Sequence, residues 1–185
     1  MSTAEQALQK LKQGNAAYLN SKKNDADISV SLRKHTSQNG QKPYAVIVSC
    51  SDSRVPPEHV FMAGIGELFV IRTAGHVISD FDLGSIEYGV KHLGAKIIVV
   101  LGHSGCGAVA AALVGQAEGY IQNILDEIKP VIRGVADAAE AEKLNVAHSY
   151  RQILKSAIVK ELLDQNIISI KQAKYELETG EVIFF

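Results

Sequence analysis

The chain has 185 residues, of which 46% are hydrophobic and 21% charged, and its 19 basic and 20 acidic residues give a net charge of −1. This composition is typical of a folded globular protein and excludes a disordered chain. The balanced charge, without a basic patch, argues against nucleic acid and anionic membranes as partners. Residues 1–19 show neither the apolar core of a signal peptide nor a membrane span, so we expect a cytoplasmic protein.

The first 40 residues predict a helical arm. Ala4, Leu8, Leu11 and Ala16 recur at roughly helical spacing, and a polar, loop-like stretch follows at 20–30. An apolar stripe on a terminal helix needs a partner surface. Either the chain's own core or a second subunit supplies that surface.

Three short runs rich in β-branched residues come next, at 44–49, 68–72 and 96–102. Each is almost continuously apolar, as expected for strands buried on both faces of a parallel sheet. Helical patterns separate or follow them, at 81–93, 106–115, 119–134 and 136–165. This alternation predicts an α/β fold with a mainly parallel central sheet flanked by helices.

The C-terminal region predicts a fourth strand at 167–170 and then an antiparallel hairpin. The alternating tail contains the turn-like sequence ETGE at 178–181. We therefore expect a single domain over residues 1–185, made of a helical arm (1–40) and an α/β core (41–185).

Two of the predicted strands end in residues that a turn does not require. Cys50 ends the first run, and His103 and Cys106 follow the third. In a doubly wound sheet the carboxyl ends of neighbouring strands form the ligand-binding crevice, so these side chains converge if the two strands are adjacent. Two thiolates and one imidazole suit tetrahedral zinc, and three protein ligands leave a fourth position open, as in catalytic sites.

Three segments around these residues resemble the β-class carbonic anhydrases: CSDSRV (50–55), GELFVIRTAGHV (66–77) and EYGVKHLGAKIIVVLGHSGCGAV (87–109). The resemblance runs from about Gln41 to Ala112. It implies one zinc ion per chain, held by Cys50, His103 and Cys106. It also implies reversible hydration of carbon dioxide to bicarbonate and a proton, by attack of a zinc-bound hydroxide.

The resemblance assigns catalytic roles to Asp52 and Arg54. Asp52 is expected to orient the hydroxide, and Arg54 to hold Asp52 through a charge-assisted contact. In related enzymes the aspartate binds zinc itself in a closed resting form when the pairing with arginine is lost. We expect the open, paired arrangement here.

The same resemblance assigns four substrate-binding positions. Gln41 matches a glutamine that donates to a substrate oxygen, and Phe69 and Tyr88 match aromatic residues of an apolar pocket. The Gly107 backbone amide is placed to meet the anionic product. Core packing is the commoner role for aromatic residues at positions such as Phe69 and Tyr88, and helix packing accounts for Gly107 equally well.

One departure from the family pattern is His76, at a position where many members carry asparagine. His59, His76 and His92 are candidates for proton transfer, although solvated or core histidines are the commoner case. Family members are dimers or larger, with pocket residues that cross the interface, so we expect a homodimer or a dimer-based oligomer.

Two alternatives remain open from the sequence. The same scaffold can hydrolyse carbon disulfide or carbonyl sulfide, and the sequence does not report the shape of the access route. A non-catalytic protein with a structural zinc ion is the second alternative, and it requires a closed fourth ligand.

Overall fold

The computed structural model describes residues 3–115 and 117–185. Its five-stranded sheet has the order β2-β1-β3-β4-β5, in which β1 to β4 are parallel and β5 is antiparallel to β4. The strands are β1 (Ala45–Cys50), β2 (Leu68–Thr73), β3 (Ile97–His103), β4 (Ser169–Tyr175) and β5 (Val182–Phe184). Every residue of β1 and β3 is buried, which explains why their sequences are apolar except for Ser49 and His103 near the carboxyl ends.

Helices cover both faces of this sheet. They are α1 (Ala4–Asn20), α2 (Val30–Asn39), α3 (Pro57–Val60), α4 (Asp80–Lys91), α5 (Gly107–Val114), α6 (Ile121–Ile128), α7 (Ala138–Ile153) and α8 (Ala157–Asp164), with 3₁₀ turns at Ala74–His76 and Lys129–Val131. Because strand residues alternate in direction, Ile47 packs in the cluster that contains Leu11 of α1. Its neighbours Val46 and Val48 pack on the opposite face, in the cluster that contains residues of α4, α7 and α8.

The predicted α/β architecture with a parallel sheet and a C-terminal hairpin is confirmed. Two predicted boundaries are wrong. The helix predicted over 136–165 is two helices: α7 ends at Ile153, and Ser156 caps α8 by accepting from the Val159 amide (3.1 Å). The predicted fourth strand and the first arm of the hairpin are one strand, β4, which pairs with β3 on one edge and β5 on the other.

The predicted helical arm contains two helices, α1 and α2, separated by residues 21–29. The apolar stripe of α1 packs on the chain's own core, where Ala7, Leu8 and Leu11 are buried. The stripe therefore does not itself require a second subunit. Within the described residues, none of the helices combines the length and apolar character that a membrane crossing needs.

Buried Asn15 fastens α1 to distant parts of the chain. Its amide nitrogen donates to the carbonyl oxygens of Val60 (3.2 Å) and Gly180 (2.9 Å). Its oxygen accepts from the Val182 amide at 2.9 Å. One side chain thus satisfies backbone groups of both the α3 segment and β5, which pure apolar contacts could not do.

We expect Asn15→Ala to lower the free energy of unfolding by about 2–3 kcal/mol, because three buried backbone groups lose their partner. Asn20→Ala is the control, since Asn20 is exposed at the end of the same helix. Urea denaturation of both variants measures the difference. Equal stability of the two variants would contradict this role for Asn15.

Candidate metal centre

The parallel pairing of β1 with β3 brings the three predicted ligands together. Ser49 lies opposite Leu101, so Cys50 and His103 end adjacent strands at the same edge of the sheet. Cys106 is the N-cap residue of α5, three residues after β3 ends. The two sulfur atoms and a ring nitrogen lie within 4.8 Å of one another, and all three residues are buried.

The state of the His103 ring shows that this cluster fits a metal ion. Nδ1 lies 2.9 Å from the Ser104 carbonyl oxygen and therefore carries the proton. Nε2 is buried and has no hydrogen-bond partner among the described residues, so its lone pair is free for a cation. In tetrahedral zinc sites with such ligands, the donor atoms lie about 3.5–3.8 Å apart, which this cluster can reach with small movements.

When no cation is bound, Cys50 and Cys106 share one proton between their two sulfur atoms. The hydrogen bond from the Cys106 thiol lowers the pKa of Cys50, against the opposing effect of burial. As the donor of that bond, Cys106 has its pKa raised. The Gly75 amide also donates to the Cys50 sulfur at 3.3 Å. A divalent cation would displace this proton by stabilising both thiolates, which is the chemistry of a zinc site.

Asp52 and Arg54 form a bidentate pair beside the cluster. Arg54 Nε donates to Asp52 Oδ1 (3.0 Å) and Nη2 to Oδ2 (2.7 Å), and the Arg54 amide also donates to Oδ1 (2.9 Å). These bonds lower the pKa of the Asp52 carboxyl to about 2. Asp52 Oδ2 lies 4.0 Å from His103 Nε2, so the ionised carboxylate adjoins the centre while arginine holds it.

Two residues that the sequence analysis missed hold the backbone around the ligands. Arg72 on β2 donates from Nε to the Cys50 carbonyl oxygen (3.0 Å) and from Nη2 to that of Asp52 (2.6 Å). Glu142 on α7 accepts from the Gly105 and Cys106 amides at 2.6 and 3.3 Å. Arg72 lies in the GELFVIRTAGHV segment that resembles the family, and a charged residue within that apolar strand was a sequence signal that could have identified it.

Comparison with known proteins decides the family. A sequence profile described as carbonic anhydrase matches residues 45–182, which include the whole centre. Carbonic anhydrase 2 of Mycobacterium tuberculosis is 36% identical over 184 residues, covering 94% of this chain and 88% of that protein. The chain belongs to the β-class carbonic anhydrase family. It is therefore a carbonate dehydratase, an enzyme that hydrates carbon dioxide.

Solved structures agree with this membership. The Coccomyxa β-carbonic anhydrase, determined in complex with acetazolamide, superposes with a TM-score of 0.76 at 29% identity and covers 84% of this chain and 78% of that one. A tetrameric β-carbonic anhydrase from Sordaria macrospora gives a TM-score of 0.73 at 25% identity, covering 84% of this chain and 91% of that one. The Cys50–His103–Cys106 cluster is typical of the family's zinc site.

The four substrate-binding positions taken from the family do not all meet at this centre within one chain. Phe69 lies opposite Val46, four residues before Cys50, which places it about 13 Å along the sheet from the cluster. Tyr88 contacts Phe69, with ring centroids 6.1 Å apart. Exposed Gln41 precedes β1, at the far end of that strand from Cys50.

Gly107 does lie at the centre, as the first residue of α5 directly after Cys106. A Cβ atom at this position would meet nothing within 4 Å, so the space beside the glycine is open. Its amide is one of the unpaired donors at the start of a helix, which is where an anion is favoured.

His76, the departure from the family pattern, is buried behind the centre. Its Nδ1 donates to Ser149 Oγ (3.1 Å), and that hydroxyl donates to the His76 carbonyl oxygen (2.8 Å). Burial lowers the pKa of His76 to about 4, so the ring stays neutral at physiological pH. By contrast, His59 and His92 lie on the surface, where they contact Asn24 and Tyr88.

The buried ring predicts a pH dependence of stability. Between the ordinary histidine pKa of about 6.5 and the folded value of about 4, the unfolded chain binds a proton that the folded chain does not. The free energy of unfolding therefore decreases as the pH is lowered through this window, by up to about 3 kcal/mol. The substitution His76→Asn should remove this part of the dependence, because the amide can still donate to Ser149.

Urea denaturation at neutral pH and near pH 5 tests this, with a zinc chelator present so that metal release does not contribute. His59→Asn is the control, since His59 is exposed. If His76→Asn and the native chain lose the same stability on acidification, His76 is not the group responsible.

Proposed function

We propose that this chain hydrates carbon dioxide at the Cys50–His103–Cys106 centre with Asp52 as the group that orients the nucleophile. The observation that supports this is the placement of an ionised carboxylate, held by Arg54, 4.0 Å from the free nitrogen of His103. When bound, zinc supplies Lewis-acid chemistry that lowers the pKa of water in contact with it.

Asp52 acts as a hydrogen-bond acceptor in this proposal. Its pKa of about 2 keeps it ionised at neutral pH, so it can only accept, and a hydroxyl group beside it must direct its hydrogen at the carboxylate. That bond fixes the orientation of the oxygen lone pair that attacks the carbon of carbon dioxide. Orientation of this kind is what a small, apolar substrate cannot impose for itself.

Arg54 sets the direction of Asp52 in two ways. Its guanidinium holds both carboxylate oxygens, and its Nη2 also donates to the Gly105 carbonyl oxygen at 3.2 Å. Arg54 thereby joins the loop after β1 to the loop that carries Cys106. Because Arg54 already neutralises its charge, Asp52 gains little from binding the cation itself. This favours the open form of the site, in which Asp52 is not a metal ligand.

Product binding is the proposed role of Gly107. The bicarbonate anion would be met by the Gly107 amide at the start of α5, where the helix dipole favours negative charge. The lack of a side chain leaves the approach open.

We expect Asp52→Asn to keep about one zinc per chain and to lower kcat/KM for carbon dioxide hydration by about 100-fold, because the amide cannot act as a pure acceptor. Asp164→Asn, which changes an exposed carboxylate at the end of α8, is the matched control. Stopped-flow hydration with parallel zinc assay makes the comparison. Unchanged turnover with full zinc would remove Asp52 from the mechanism.

A second copy of the chain completes the pocket in this proposal. Strand β2 lies at one edge of the sheet, and Phe69 stands on it. Phe81 and Tyr88 of α4 are 88% and 49% exposed. Exposing these aromatic side chains to water is unfavourable, and a subunit interface would bury them. A homodimer would bring Gln41, Phe69 and Tyr88 of one subunit towards the centre of the other, either alone or within a larger oligomer.

Mixing two defective variants tests this assembly. If Gln41 serves the partner's centre, a statistical mixture of Asp52→Asn and Gln41→Ala subunits regains about one quarter of native activity, because half of the dimers are mixed and each contains one intact site. Light scattering reports the mass in parallel. A monomeric mass at micromolar concentration, or no regain after exchange of subunits, would contradict the proposal.

We also propose one domain over residues 1–185 and a cytoplasmic location. The contacts of Asn15 with β5 support the first, since they tie the arm to the C-terminal hairpin. The second is supported by the two free cysteines, which must stay reduced to bind metal.

A further inference from the structure

Helix α7 presents buried polar side chains to the centre. Glu142, Asn145 and Ser149 are each at most 5% exposed, and their spacing of three and four residues places them on one helix face. The other buried residues of this helix include Ala141 and Val146, which pack in the apolar core. Buried polar groups at such positions need a reason, because apolar residues would pack there at lower cost.

Glu142 contacts the loop that carries Cys106. Its Oε1 accepts from the Gly105 amide (2.6 Å) and the Cys106 amide (3.3 Å). Its other oxygen pairs with Lys174 Nζ at 3.0 Å, and Lys174 also reaches Glu176 at 3.2 Å. The carboxylate is thus fixed from β4 and in turn fixes the backbone of a metal ligand.

Asn145 contacts the loop that touches Cys50. Its amide nitrogen donates to the Gly75 carbonyl oxygen (2.9 Å), while the Gly75 amide donates to Cys50 Sγ (3.3 Å). Gly75 has φ +64°, and a Cβ atom there would lie 2.9 Å from Ile128 and 3.0 Å from Ala108. No residue with a side chain fits at position 75 without displacing these neighbours. Asn145 thus holds the Gly75 amide within hydrogen-bond distance of Cys50 Sγ.

We propose that α7 positions both thiolate ligands: Glu142 fixes Cys106 through the backbone amides, and Asn145 fixes Cys50 through Gly75. This rests on the zinc centre proposed above. Neither residue touches the reacting atoms, so both are positioning residues. The hydrogen bond from Gly75 also reduces the electron density that the Cys50 sulfur can give to a metal.

Two double variants isolate the acceptor role of Glu142. Glu142→Gln/Lys174→Met keeps an amide oxygen for the Gly105 and Cys106 amides, whereas Glu142→Met/Lys174→Met removes it. Both lack the buried ion pair and have nearly equal side-chain volumes, a replacement that folded proteins often tolerate. The melting temperature of each metal-free protein accompanies the measurement.

Transfer of zinc to a chromophoric chelator is the readout for this pair. We expect the Met/Met variant to release zinc about 10- to 100-fold faster than the Gln/Met variant, which should behave like the native chain. Equal release rates from the two variants would overturn the role of Glu142. A native chain that binds no zinc would instead refute the centre itself, so the two failures are distinguishable.

Cobalt substitution tests the role of Asn145. With Asn145→Ala, the thiolate-to-cobalt charge-transfer band should move to lower energy, because the Cys50 sulfur loses the hydrogen bond from Gly75. Asn15→Ala is the control, a buried asparagine that also donates to backbone carbonyls but has its partners outside the loops that carry Cys50, Gly75 and Cys106. An unshifted band in Asn145→Ala, or an equal shift in Asn15→Ala, would overturn the proposal.

Discussion

The parallel pairing of β1 with β3 is the constraint on which the rest of this enzyme depends. It ends two buried strands side by side, so that Cys50 and His103 face the same point. A shift of one residue in either strand would turn one of these side chains to the other face of the sheet. The continuous apolar character of both strands is therefore as necessary to the metal centre as the ligands themselves, since it fixes how the strands pack between two layers of helices.

The polar groups around the centre are arranged in pairs that cross between elements. Arg54 links the end of β1 to the loop after β3, Arg72 links β2 to β1, and Glu142 links α7 to α5. The guanidinium groups of Arg54 and Arg72 donate to carbonyl oxygens, and the Glu142 carboxylate accepts from backbone amides. The centre is therefore surrounded by hydrogen-bonded groups in fixed positions. Such preorganisation suits a reaction whose substrate has few groups that can form hydrogen bonds with the protein.

How far the sequence could predict this depends on how local each signal is. Cys50, His103 and Cys106 stand at or just after strand ends, so strand patterns and residue chemistry together predicted that they converge, whereas the Asp52–Arg54 pair was expected only from the resemblance to the family. Glu142 and Asn145 act from a helix more than 30 residues away, and their contacts depend on how α7 crosses the sheet. Their spacing of three residues, on the face shared with Ala141 and Val146, was the only local signal. The break before Ser156 was missed because the apolar pattern continues across it. The Ser156 hydroxyl accepts from the Val159 amide and also donates to Glu87 on α4, a distant contact that the sequence does not show.

The decisive measurement is carbon dioxide hydration, followed by stopped flow from neutral pH to about pH 9 on protein of known zinc content. We expect about one zinc per chain and activity that rises towards alkaline pH, because zinc held by two thiolates would be a weaker Lewis acid than zinc held by three neutral histidines. Full zinc occupancy without hydration at any pH would contradict this expectation.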